Sequence, residues 1–73
     1  MQRYAGSRLR AARQASGIRK ERAALEVGRS FASLTLYENG RVTPPAHVMC
    51  TLAELYGVDV SDLFEDDRAA ANG

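Results

Sequence analysis

The sequence predicts an all-α fold of five helices, and three observations carry that prediction. Apolar residues recur three and four positions apart, the spacing of one helix face. Gly17, Gly28, Gly40 and Gly57 cut the chain into segments of helical length. At 73 residues the chain holds one domain with a modest core.

The first helix is expected over Ala5 to Ser16, with Leu9, Ala12 and Ile18 marking its buried side and exit, and Gly17 closing it. The second is expected over Lys20 to Val27. Its apolar positions are Ala23, Ala24 and Val27, and Gly28 stops it. Ser30 has the hydroxyl that accepts from an unpaired backbone N–H, so it is expected to cap a third helix over Phe31 to Glu38. Leu34 and Tyr37 face the core there. Asn39-Gly40 ends the helix, because both residue types tolerate the left-handed conformation. Val42-Thr43-Pro44-Pro45 reads as a loop. The fourth helix is expected over Ala46 to Tyr56, with Ala46, Met49, Leu52, Ala53 and Tyr56 as its apolar stripe. A short fifth helix, capped by Ser61, is expected to carry Leu63 and Phe64. The domain therefore spans residues 1–64, and 65–73 form a flexible acidic and alanine-rich tail.

Net charge is only +1, but its distribution is uneven. Residues 1–41 hold nine of the ten basic residues and three acids, a net of +6; residues 42–73 hold one arginine and six acids, a net of −5. Such a basic half suggests an anionic partner, nucleic acid first. No apolar run approaches the ~20 residues of a membrane span, and the N-terminal residues do not resemble a secretion signal. Cys50 is the single cysteine, so no internal disulfide and no thiolate metal cluster can form. A cytoplasmic protein without metal or cofactor is expected. Cys50 itself reads as a small buried or half-buried residue. His47 stands alone as a surface histidine, and no catalytic constellation is present, so an enzyme is not expected.

The second and third helices, joined by a tight turn at Gly28-Arg29, have the spacing of a helix-turn-helix. The residues around them carry more. Leu9 with Arg13, Ala24 before Val27-Gly28, Ser30, Leu34, the block Tyr37-Glu38-Asn39-Gly40-Arg41, Pro44, and the run from Leu52-Ala53 through Tyr56-Gly57-Val58 to Leu63-Phe64 form one pattern. That pattern, over Arg8 to Phe64, resembles the Cro/lambda-repressor-like (XRE-type) helix-turn-helix family.

The resemblance implies a compact five-helix lambda-repressor-like domain that binds double-stranded DNA and regulates transcription. It implies a repressor acting as a homodimer, with helix 31–38 in the major groove of an operator. It also implies residue roles. Arg13 and Glu38 form a structural ion pair joining the first helix to the end of the recognition helix. Arg19, Lys20, Asn39 and Arg41 hold phosphates, with Arg10, Arg22 and Arg29 as weaker candidates. The family more often has serine and glutamine at 19 and 20, so this chain exchanges a cap for charge. The base-reading positions are Phe31, Ala32, Ser33, Thr35 and Leu36. Three of these are apolar and cannot make the bidentate hydrogen bonds that identify a purine, so direct readout is expected to be thin and DNA shape to contribute. An apolar face made of Leu25, Phe31 and Leu36 also supports an alternative, a protein-interaction module of antitoxin or anti-repressor type whose partner is another regulatory protein. Core packing of one or two of these residues is the third reading, with Leu25 compensating for the small Ala23. The dimer surface is expected around Val60, Leu63 and Phe64, with core packing the stronger expectation for Leu63.

Overall fold

A computed structural model of the chain describes residues 1–66. The elements run β1 (Gln2–Tyr4), α1 (Gly6–Ser16), α2 (Lys20–Val27), α3 (Phe31–Glu38), α4 (Ala46–Tyr56), a 3-10 turn (Val60–Leu63) and β2 (Phe64–Asp66). The four α-helices match the expected segments, apart from Ala5, which precedes α1 as its N-cap.

Leu9, Ala23, Ala24, Leu34, Tyr37, Val48, Met49, Leu52, Tyr56 and Leu63 form one buried cluster, so every helix and the 3-10 turn contribute to a single core. Ala12, Ile18 and Val27 pack against its margin. On α4 the buried face is Val48, Met49, Leu52, Ala53 and Tyr56. Ala46, expected in that stripe, is exposed, because Val48 fills the inward position of the first turn. Cys50 is exposed rather than buried, since it falls on the solvent side of the same helix.

The helix ends follow backbone chemistry. At α3 the left-handed residue is Gly40, at φ 74°, while Asn39 keeps right-handed helical angles. The Gly40 N–H donates to the Tyr37 carbonyl at 3.2 Å and the Arg41 N–H to the Leu36 carbonyl at 3.1 Å. This pair of bonds satisfies carbonyls that the helix end would otherwise strand. Gly28, at φ 68°, ends α2 the same way and turns the chain directly toward α3.

Two expectations need correction. The predicted fifth helix is a four-residue 3-10 turn, and its N-cap is Asp59 rather than Ser61. The Asp59 N–H donates to Asp62 Oδ2 at 3.1 Å, and the Asp62 N–H to the Asp59 carbonyl at 2.9 Å. The chain then extends at once, because Phe64 pairs with the N-terminal segment. β1 and β2 form an antiparallel ribbon with Gln2 opposite Asp66, Arg3 opposite Glu65 and Tyr4 opposite Phe64. The fold is thus mostly helical with a small sheet, not five helices alone. Strands of three residues are too short for alternation to reveal, and their pairing joins the two ends of the described chain. Of the tail expected at 65–73, Glu65 and Asp66 lie in β2, and 67–73 lie outside the described residues.

Phe64 meets Tyr4 edge to face at a centroid distance of 6.2 Å. Leu63 is fully buried, and Val60 and Phe64 pack against the core. Much of the apolar surface expected to pair two copies is therefore used inside one chain.

Candidate nucleic-acid interface

Ser30 caps α3 as expected: its Oγ accepts from the Ser33 N–H at 3.1 Å. Beyond that cap, the helix wheel sorts α3 into two sides. Leu34, Tyr37 and Glu38 are buried; Phe31, Ala32 and Leu36 are exposed; Ser33 and Thr35 lie at the borders. The five expected base-reading positions thus share the outward arc, on a helix braced from beneath by α2. A major groove about 12 Å wide admits one helix presented in this way.

The apolar residues of this region do not retreat into the core. Leu25 is 78% exposed, Phe31 49% and Leu36 42%. Leu25 therefore does not compensate for Ala23, which is itself fully buried.

The inner end of α3 is held by several groups at once. Arg13 Nε donates to Glu38 Oε2 at 2.6 Å and Arg13 Nη2 to Glu38 Oε1 at 3.2 Å, a two-pronged pair. Its Nη1 donates to the Ile18 carbonyl at 3.1 Å. The side chains of Arg13 and Glu38 are 13% and 3% exposed, so this ion pair is buried, as its structural reading requires. The hydrogen bond to Glu38 raises the guanidinium pKa further above its ordinary value.

Two tyrosines close the same region. Tyr4 Oη donates to the Tyr37 carbonyl at 2.8 Å. Burial, followed by the nearby charge of Glu38, raises the Tyr4 pKa far above the usual phenol value. Burial, again followed by Glu38, pushes Tyr56 up to about 12, with Arg13 opposing. The Tyr56 hydroxyl is buried without a hydrogen-bond partner among the described residues.

Gly6 is a positioning residue that sequence reasoning missed. A Cβ at this position would collide with the Tyr37 carbonyl oxygen. It would also lie 2.6 Å from the Gly40 nitrogen and 2.7 Å from the Glu38 carbonyl oxygen. Only a glycine lets the start of α1 abut the end of α3. The residue looked ordinary because a glycine in a first helical turn has no pattern of its own, and the close approach exists only in three dimensions.

The outer flanks carry charge. Arg19 is the exposed N-cap of α2 and makes no side-chain cap, leaving the first-turn N–H groups open to an anion. Arg41 and Asn39 are exposed just beyond α3, and Arg29 is exposed in the turn. Among the described residues, none of these arginines joins an ion pair. Arg22, by contrast, is engaged by Glu26 at 3.0 Å. Lys20, expected with the phosphate group, lies across α3: its Nζ is 4.9 Å from the Phe31 ring centroid and 3.4 Å from Thr35 Oγ1.

No helix of the described residues is long and apolar enough to cross a membrane. Residues 5–65 match the family model described as a helix-turn-helix domain. A comparison with curated proteins gives no significant match. Among solved structures, the P22 c2 repressor bound to a synthetic operator superposes with a TM-score of 0.75 at 23% identity, over 84% of this chain and 92% of that one. The restriction-modification controller protein C.AhdI from Aeromonas hydrophila superposes with a TM-score of 0.72 at 27% identity, over 81% and 89%. The clp gene regulator ClgR from C. glutamicum gives 0.71 at 24% identity, over 80% and 75%. With the motif, the buried Arg13–Glu38 pair and the fold in agreement, this chain belongs to the helix-turn-helix family and has the XRE-type, lambda-repressor-like fold of DNA-binding transcription regulators.

Proposed function

We propose that this protein is a transcriptional repressor, without catalytic activity, that inserts α3 into the major groove of double-stranded DNA. The observation that carries the reading is the exposed arc of α3 flanked by cations that join no ion pair among the described residues. Arg19 and the open N–H groups of α2 take one phosphate run; Asn39 and Arg41 take the other, across the reading helix. Lys20 adds positive charge at the α2 edge. The P22 c2 repressor, a structural neighbour in complex with an operator, supports the same use of the fold here.

A module of this size makes few contacts, so two copies on a two-fold site give the affinity that one lacks. The working form is therefore a homodimer with half-sites about one DNA turn apart. The exposed Leu25, Phe31 and Leu36 favour the rival reading, a protein-interaction module. Against it stands the ammonium of Lys20 over the Phe31 ring, which makes that part of the face cationic rather than purely apolar.

Salt decides between them. Binding to random-sequence duplex, followed by fluorescence anisotropy, should weaken steeply between about 50 and 200 mM salt. The double variant Arg19→Ala/Arg41→Ala should weaken binding to all duplexes and flatten the log–log salt slope by about 2. Absence of binding to any duplex at low salt would leave the protein-interaction reading ahead.

A further inference from the structure

We infer that Lys20, a residue of α2, is the hydrogen-bond donor with which this domain reads a base, and that Phe31 positions it; the inference rests on the DNA-binding reading. The need arises on α3 itself. Phe31, Ala32 and Leu36 bring no polar group to its outward arc. The single hydroxyl hydrogen of Thr35 goes to the Phe31 carbonyl at 3.2 Å, so Thr35 offers only acceptor lone pairs. Ser33 Oγ accepts from Ser30 Oγ at 3.1 Å, which leaves it one donor and no two-pronged geometry. The helix cannot by itself address the paired acceptors N7 and O6 of guanine.

Lys20 fills this vacancy from the neighbouring helix. Phe31 and Thr35 are four residues apart and so form one ridge of α3. The Lys20 ammonium rests on that ridge, 4.9 Å from the phenyl centroid and 3.4 Å from Thr35 Oγ1. The ring face attracts the cation, and the Thr35 oxygen accepts one N–H. An ammonium has three N–H groups, so at least one remains for a partner outside the protein. A cation tied to the Phe31–Thr35 ridge of a groove-entering helix faces base edges; an exposed cation at the rim, such as Arg19, faces phosphate. Lys20 offers donors only, so it selects acceptors and rejects the amino groups of adenine and cytosine. Guanine, with two adjacent acceptors, is the best match.

The experiment is selection from a random duplex pool, with sequencing of the bound fraction, for the wild type and four variants whose melting curves are recorded in parallel. The wild type should enrich a guanine in each half-site. Lys20→Met should lose that preference, an effect of about tenfold between guanine and the next base. Phe31→Leu keeps apolar bulk but removes the ring, and should weaken the same preference; Phe31→Tyr should restore it. Arg19→Ala should lower affinity for every sequence and leave the motif intact. If Lys20→Met behaves like Arg19→Ala, with the guanine retained, or if the wild type binds DNA with no guanine preference, the inference is overturned and the DNA-binding reading stands. If the wild type binds no duplex at low salt, both fall together.

Discussion

The two ends of α3 are built on opposite plans. Its C-terminal end is buried and tied from four directions: by the Tyr4 hydroxyl, the close approach of Gly6, the paired Arg13 and the Gly40 turn. Its N-terminal end is held by one serine cap and one lysine from α2, and its outward residues face solvent. The contrast shows how a short helix can be both rigid and available. An eight-residue helix is unstable alone, so its orientation must come from tertiary contacts. Here those contacts gather on the buried face of the C-terminal end, leaving the outward arc and its exposed flanks free to touch a partner.

Substitutions at the buried end should therefore act on stability, and the largest effect is expected at Gly6. Gly6→Ala drives a methyl group into backbone atoms that cannot rotate away. It should cost about 3 kcal/mol, at the upper end for overpacking, and lower Tm by roughly 15 °C in a domain of this size. A Tm within a few degrees of wild type would mean that α1 and α3 separate easily and that this end is not clamped.

Arg13→Ala, which strands the buried Glu38 carboxylate, should cost about as much as Gly6→Ala, ~3 kcal/mol. Arg19→Ala, on the exposed side, should stay within about 0.5 kcal/mol. Thermal melts of the two variants test the contrast directly, and equal effects would remove the structural role of the ion pair.

The smallest effect at neutral pH is expected for Tyr56→Phe, because the hydroxyl it deletes has no partner among the described residues. Tm should stay unchanged or rise slightly. At alkaline pH the variant should separate from wild type. The Tyr56 pKa is raised to about 12 in the folded state, so folding favours the neutral phenol. That contribution is fully present below the unfolded value of about 10 and is lost as pH climbs from about 10 to 12. Urea melts at pH 7 and pH 11 should show the wild type losing more stability than Tyr56→Phe; parallel losses would contradict the assignment.

Much of this arrangement was legible in the residues. The four α-helices, the Ser30 cap and the glycine stops follow from local rules that need no partner, and the structure places them where expected. The Arg13–Glu38 pair was legible only through family resemblance, since nothing local links positions 25 residues apart. The ribbon of β1 and β2 left no trace because three-residue strands carry no usable period. Serine and aspartate are both good N-caps, so local rules do not separate Ser61 from Asp59, whose choice is coupled to Asp62. At the interface, the outward arc of α3 could be read from helical spacing, whereas the contacts of Lys20 could not. Its charge suggested a phosphate, and only the packing of α2 against α3 reveals the phenyl ring and hydroxyl beneath it.

The central claim is that the exposed arc of α3 is the surface that meets DNA. Backbone amide shifts of the labelled protein, followed on adding a duplex at low salt, test it most directly. The largest changes should fall at Ala32, Ser33, Thr35 and Leu36, with flanking changes at Arg19 and Arg41 and little at Leu9 or Leu52. Shifts that leave α3 silent while the duplex binds elsewhere on the domain would contradict it.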